Sequence, residues 1–281
     1  FANSIRAMRR HEIERIGLAW MSGVIDDEAS LAGMTDVYDA AIEASLQWAI
    51  QHRINDIQID EAPAAIAIIG MGRYGGREVN FSSDADVIII YRPAEGADDD
   101  QANLFARKVQ EDLRAILQGP TTFEPKIELD MDLRPEGKNG PLVRSYASCE
   151  EYYRSWASTW EHQALLRARY AAGDASLAED FLMNIADPLR YPKIDLTETQ
   201  IAEIRKLKAR MEAERLPRGV RRDRHLKLGK GGLSDVEWTI QLLQLQHAGD
   251  NANLRVNGTL QALNELEHRK LISAGDAVVV A

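Results

Sequence analysis

The sequence has 281 residues, of which 45% are hydrophobic and 28% charged, with only nine prolines. This composition excludes a disordered or low-complexity chain, and the length is typical of a folded protein with two structural units. The 44 Asp and Glu residues outnumber the 34 Lys and Arg residues, which gives a net charge of −10. A broad cationic surface for nucleic acid is therefore not expected.

The single cysteine and the short apolar runs exclude further classes of protein. Cys149 is the only cysteine, so neither an intrachain disulfide nor a cysteine-based zinc site is expected. The longest apolar runs, 64–69 and 87–91, are too short to cross a bilayer. We expect a cytoplasmic protein without membrane or nucleic-acid partners. The chain begins with Phe and ends in an apolar run, as expected for part of a longer polypeptide.

The first half of the chain mixes helical and strand patterns. Helical spacing of apolar residues covers 5–50 and 102–117. The continuous apolar runs 64–69 and 87–91 predict two buried strands. Strict alternation in 127–134 predicts a third strand, with apolar residues on one face and charged residues on the other.

The second half is predicted to be helical. The stretch 137–141 is the expected boundary between domains 1–140 and 141–281. Four helices are predicted after it, at 146–170, 176–185, 197–214 and 234–247. On the first of these, a helical face near the boundary would carry several of four aromatic and basic residues, namely Trp156, Trp160, Arg167 and Arg169.

A glycine-rich turn follows the first predicted strand. Residues 70–75, Gly-Met-Gly-Arg-Tyr-Gly, match the G-x-G-x-x-G pattern of dinucleotide-binding folds. A Rossmann unit needs a crossover helix before its next parallel strand. The segment 76–83 is too short for that helix, so we expect no nicotinamide dinucleotide site. Backbone N–H groups of the turn remain suited to cradling phosphates.

Carboxylates cluster at the second and third strands. Asp84 and Asp86 stand at positions i and i+2 of an extended segment, so both point to one face. Such a pair is often only two solvated acids, but three carboxylates together with phosphate oxygens are the ligands that Mg²⁺ requires. Glu128, Asp130 and Asp132 share the polar face of the third strand. Periodicity alone leaves the choice of the third ligand open.

Two other polar stretches have simpler interpretations. The glycine-rich segment 227–232 precedes a helix, whose N-terminus is suited to an anion. The alternative, which the spacing favours, is that Ser234 caps this helix with Glu237 as its capping-box partner. The aspartates 98–100 are expected in a solvated loop.

The motifs resemble one known family, the glutamine synthetase adenylyltransferases. The resemblance covers nearly the whole chain. It is carried by the motif residues 70–78, 81–86, 129–135, 140–143, 160–169 and 227–238. The resemblance implies an α+β fold, with N-terminal helices, a polymerase-β-like nucleotidyltransferase domain and then an all-α helical-bundle domain.

The resemblance also implies a role for individual residues. Asp84, Asp86 and Asp130 correspond to the catalytic carboxylates that bind Mg²⁺, which selects Asp130 among the three candidates. The implied nucleotide-binding residues are Gly72, Arg73, Gly75, Gly76 and Ser83. Arg73 stands where the family usually has Lys, and Asp132 stands where Arg is more familiar.

Full-length members of the family have two homologous halves. One transfers AMP from ATP to a tyrosine of glutamine synthetase, and the other removes it by phosphorolysis. The stretches 207–217 and 222–246 favour the C-terminal, transferase half of an actinobacterial-type member. The alternatives are the adenylyl-removing half and a catalytically silent module that docks on glutamine synthetase. A nitrogen-signalling regulatory protein is a further expected partner.

Overall fold

The computed structural model describes residues 1–120, 126–216, 219–221, 224–273, 275 and 276. The apolar run 277–281 at the end of the chain lies outside these residues, as do parts of the stretches 207–217 and 222–246. No helix within the described residues is long and apolar enough to cross a membrane. The chain divides into two compact units. Unit 1 comprises 1–156 and 167–185, and unit 2 comprises 157–166 and 186–281.

Unit 1 is built on a small five-stranded sheet. Its strands are β1 (Ala64–Gly70), β2 (Ala85–Pro93), β3 (Leu129–Asp130), β4 (Val143–Ser145) and β5 (Arg169–Gly173). The order is β3-β2-β1-β5, and β4 also pairs with β2. Strand β1 is antiparallel to β2 and β5, whereas β3 and β4 run parallel to β2. The antiparallel β1–β2 pair confirms that this is not a Rossmann unit.

Helices accompany the sheet in unit 1. They are α1 (Ala2–Met21), α2 (Asp27–Asp56), the single turn α3 (Gly72–Gly75), α4 (Asp99–Gln118), α5 (Tyr146–Ser155) and α7 (Ala175–Asp180). Helix α4 is the expected connection between β2 and β3 and buries Phe105, Val109 and Leu113 in one core with β1 and β2. Asp98 caps α4 by accepting a hydrogen bond from Gln101 N at 3.0 Å. The solvated loop expected at 98–100 is therefore wrong, since these aspartates begin a helix.

The described part of unit 2 consists of helices that pack around a core of their own. They are α6 (Thr159–Leu165), α8 (Asp187–Arg190), α9 (Glu198–Arg215), α10 (Leu233–His247) and α11 (Thr259–His268). A π-helical turn, Phe181–Ala186, precedes α8. Ile204, Ile240 and Leu263 bury together in this core. The predicted helices at 197–214 and 234–247 are confirmed, whereas α11 was not predicted.

The predicted helix at 146–170 is only partly confirmed, because two shorter helices, α5 and α6, occupy most of it and its last residues begin β5. Helix α5 ends at Ser155, and Ser158 starts α6 through a capping box with Glu161. The chain leaves α6 after Leu165 and then forms β5 beside β1. The face expected for two tryptophans and two arginines consequently does not exist, because Arg169 is a strand residue. The domain ranges 1–140 and 141–281 stay a prediction; β4 and β5 pair with strands of the earlier range.

Candidate active site

The turn that follows β1, which contains α3, requires glycine at two positions. Gly72 has φ +51°, and a Cβ there would stand 2.7 Å from Cγ of Asp86 and closer still to its Oδ2. A Cβ on Gly75 would lie 2.6 Å from the Gly70 carbonyl oxygen. Met71 N donates to Asp86 O at 2.8 Å, which ties the turn to β2. The glycines thus let the backbone lie directly against the Asp86 carboxylate.

Asp86 and Asp130 lie side by side on neighbouring parallel strands. Their Cα atoms are paired in the β2–β3 register, and Ala85 pairs with Leu129. Asp84 immediately precedes β2, two residues before Asp86. The third strand, predicted at 127–134, is confirmed only for Leu129–Asp130, and it lies beside the second. The register sets Asp130 next to Asp86, whereas Asp132 lies beyond the end of β3.

A cavity of about 340 Å³ opens at this edge of the sheet. Asp84 and Asp130 line it together with Glu128, Asp132 and cationic residues that include Lys138. Asp130 Oδ1 accepts a hydrogen bond from Asp132 N at 2.7 Å. Asp132 also pairs with Lys138 at 3.2 Å, so its charge is partly balanced by a neighbour.

The carboxylates have the donor chemistry for Mg²⁺, which prefers oxygen ligands. Asp86 and Asp130 lie in register on adjacent strands, and Asp86 packs against the glycine turn. A cation held there would stand beside the backbone where phosphates bind most readily. Within the part of the chain that the structure describes, no group of three or more His, Cys, Asp or Glu side chains forms a ready-made metal site.

Of the other residues assigned to nucleotide binding, Arg73 and Gly76 belong to the same turn, whereas Ser83 lies just before β2. Arg73 is a partly exposed residue of α3, and Gly76 N closes that turn on Gly72 O at 3.0 Å. Ser83 has a structural role. Its hydroxyl accepts from Asn80 N and donates to Asn80 Oδ1, both at 3.0 Å, and its carbonyl accepts from Tyr38 OH at 2.9 Å. These bonds fix the segment that delivers Asp84 to the start of β2.

Arginines at the start of β5 and just before it contact the glycine turn and the segment after it, which the sequence did not reveal. Arg169 pairs with both carboxylate oxygens of Asp39, at 3.0 and 2.8 Å. The same guanidinium donates to the Tyr74 carbonyl and lies 4.8 Å from the centre of its ring. Burial raises the pKa of the Tyr74 hydroxyl well above its usual value. Arg167, 5% exposed, pairs with Glu78 at 3.5 Å. The partners of Arg167 and Arg169 lie far away in the sequence, so no local spacing pattern predicts these contacts.

The second glycine-rich stretch belongs to unit 2, and the capping role predicted for Ser234 is wrong. Gly232 is the N-cap of α10. The Ser234 hydroxyl instead donates to the Lys227 carbonyl at 2.6 Å. Asp235 accepts from Gly231 N at 2.6 Å and pairs with Lys208. A carboxylate therefore already stands at this helix N-terminus.

A glycine turn after one strand, an Asp-x-Asp pair on the next and a further aspartate in register define a nucleotidyltransferase-type site. Residues 1–184 match the family model for glutamate-ammonia ligase adenylyltransferase. The chain belongs to this family. Residues 202–280 match a second family model, described as GlnD PII-uridylyltransferase.

Curated relatives with one shared name resemble the whole chain. They are named bifunctional glutamine synthetase adenylyltransferase/adenylyl-removing enzyme. A relative from Bifidobacterium longum (strain DJO10A) is 78% identical over 278 residues, which is 99% of this chain and 26% of the relative. One from Mycobacterium tuberculosis (strain CDC 1551 / Oshkosh) is 48% identical over 92% of this chain and 26% of its own length. The chain thus spans about a quarter of the length of these relatives.

Proposed function

We propose that this chain transfers AMP from ATP to a tyrosine of glutamine synthetase, as one catalytic half of a bifunctional enzyme. One observation carries the proposal. Asp86 stands in register with Asp130 and against the backbone of Gly72, so carboxylates and a phosphate-binding turn meet at one point. Family membership and the names of the relatives support the same chemistry.

Each part of the site has a role in this proposal. Asp84, Asp86 and Asp130 would hold Mg²⁺, which when bound neutralises phosphate charge and favours ionisation of the acceptor hydroxyl. The amide groups of the turn and the Arg73 guanidinium would bind the β- and γ-phosphates. The rest of the catalysis is positioning, since the carboxylates and the turn are fixed to adjacent strands.

We assign the chain to the transferase half, and the stretches 207–217 and 222–246 are the basis for this choice. The adenylyl-removing half would use the same carboxylates in phosphorolysis, because transfer and phosphorolysis both occur at the α-phosphate. We further propose a polymerase-β-like domain followed by a helical-bundle domain. A nitrogen-signalling regulatory protein would be a second partner, beside glutamine synthetase.

Two parallel reactions test the proposal. In one, the chain is incubated with unmodified glutamine synthetase, Mg²⁺ and ATP labelled in the α-phosphate. In the other, it is incubated with adenylylated glutamine synthetase and inorganic phosphate, and the release of ADP is measured. We expect label to enter glutamine synthetase in the first reaction and peptide mapping to locate it on a tyrosine. Reaction only in the second mixture would identify the removing half.

The controls distinguish an active enzyme from a catalytically silent docking module. Chelation with EDTA and the Asp86→Asn variant should each abolish the label if the carboxylates act through a metal. Absence of both reactions, with wild-type chain still co-sedimenting with glutamine synthetase, would identify a docking module and refute the proposal.

A further inference from the structure

A second cavity of about 710 Å³ adjoins α4. We call it the α4 groove. Asn103, Arg107, Gln110 and Arg114 line it from α4, and their helical spacing puts them on one face. The segment 140–143, which leads into β4, supplies apolar lining. The groove therefore combines an apolar wall with a polar helical face.

The α4 groove is continuous with the carboxylate cavity. Arg114, Arg134, Lys138 and Leu142 line both. Among the described residues, those of the glycine turn Gly72–Gly75 line neither cavity. If the turn holds the triphosphate, the groove offers the other approach to the carboxylates. The acceptor hydroxyl must reach the α-phosphate from a side that the triphosphate leaves open.

The groove is cationic in a protein of net charge −10. Arg107, Arg114, Arg134 and Lys138 line it with Glu111 as the one acid among its lining residues. In the described parts of the chain, neither Arg107 nor Arg114 forms an ion pair. Arg134 donates to the backbone carbonyls of 131, 138 and 140 and lies 3.9 Å from the Asp132 carboxylate, which also pairs with Lys138 at 3.2 Å. The charges of Arg107 and Arg114 are therefore the ones left for an occupant with negative charge.

Gln110 adds a donor to the same wall. It is 4% exposed, and its Nε2 has no hydrogen-bond acceptor among the residues that the structure describes. A buried amide nitrogen without an acceptor is destabilising. Because this nitrogen is buried, a peptide carbonyl would accept from it only after the Gln110 side chain turned into the groove.

We propose that the α4 groove binds an acidic, extended segment of the acceptor protein beside the residue that receives AMP. This inference rests on the proposed function, because it takes the glycine turn as the site of the triphosphate. The apolar lining at 140–143 would contact the segment's uncharged residues. Arg107 and Arg114, which form no ion pair among the described residues although Arg114 Nε donates to Gln118 Oε1 at 2.8 Å, would contact its carboxylates.

A peptide titration tests the groove by itself. The probe is a fluorescein-labelled peptide with one tyrosine between two pairs of glutamates, and a lysine version of it is the comparison. We expect the chain to bind only the acidic peptide. Arg107→Glu should raise the Kd about tenfold or more, and Arg107→Gln should raise it less. The matched control is Arg154→Glu, since Arg154 is exposed, forms no ion pair in the described residues and lines neither cavity.

The transfer reaction gives the second readout. Arg107→Glu should raise the KM for glutamine synthetase about tenfold and leave the KM for ATP unchanged, because Arg107 does not line the carboxylate cavity. Equal binding of both peptides, or an unchanged Kd in Arg107→Glu, overturns the assignment of the groove. If the wild-type chain transfers no AMP, the proposed function fails, and the peptide titration alone then decides what the groove binds.

Discussion

The substitution Gly72→Ala tests whether the glycine turn and the Asp86 carboxylate form one site. The new Cβ would stand 2.7 Å from Asp86 Cγ and closer to Oδ2, whereas real Cβ contacts essentially never fall below 3.0 Å. Since the turn is fixed by Met71 N donating to Asp86 O, the side chain must retreat by about 1 Å. A displacement of that size costs on the order of 10²-fold in rate.

Gly96→Ala is the matched control. Gly96 also has positive φ, +76°, but nothing lies within 4 Å of its Cβ position. Both variants incur the left-handed backbone cost of about 1–2 kcal/mol, so their difference isolates the collision with Asp86. We expect urea denaturation to show a similar loss in the free energy of unfolding for both variants, somewhat larger for Gly72→Ala. Only Gly72→Ala should lose AMP transfer. Transfer by Gly72→Ala within about twofold of Gly96→Ala would refute the assigned geometry.

Three further predictions concern single side chains. Asp84→Asn and Asp86→Asn should each remove Mg²⁺-dependent transfer and leave the circular dichroism spectrum unchanged, and activity within about tenfold of wild type would exclude a metal role. Asp130→Asn should reduce the transfer rate far more than Asp132→Asn, although both face the same cavity; equal losses would remove the basis for choosing Asp130. Burial raises the pKa of the Cys149 thiol to about 12. A thiol reagent at pH 8 should therefore modify it only after denaturation, and rapid labelling of native protein would contradict this.

Cys149 also gives a pH dependence of known sign. The folded thiol stays protonated up to about pH 12, whereas an unfolded thiol loses its proton near pH 8.5. Above that pH the unfolded state binds fewer protons, so the free energy of unfolding falls as pH rises. A Cys149→Ala variant should lose this part of the alkaline slope, as measured by urea denaturation between pH 8 and 10.

The parts of the site that the sequence predicted well are local. Runs of apolar residues located β1 and β2, because a continuous apolar run is typical of a buried strand. The two-residue spacing predicts a common face for Asp84 and Asp86, because side-chain direction in a strand depends on position. The spacing of helix α4 was equally clear. Periodicity could not choose among the acids of the third strand, since that choice depends on the register between β2 and β3.

The missed parts depend on contacts between distant residues. Strand β5 has a Gly and two Ala among its five residues and no strong alternation, so its place beside β1 comes from pairing partners about 100 residues earlier. Its Arg169 forms an ion pair with Asp39, which lies 130 residues earlier in the sequence. The start of α10 was missed for a local reason. Gly232 is the N-cap, so Ser234 already lies inside the first turn of the helix, where its hydroxyl donates to the Lys227 carbonyl.

The late pairing of β5 with β1 has a consequence for synthesis on the ribosome. Strand β1 ends at Gly70, but its β5 partner begins at Arg169, about 100 residues later. Translation adds about 5–20 residues per second, so one edge of the isoleucine-rich strand β1 stays unpaired for roughly 5–20 s until β5 has been synthesised. An unpaired apolar edge can pair with other chains. A released chain truncated before residue 169 should therefore be a stronger chaperone substrate than one truncated after residue 185.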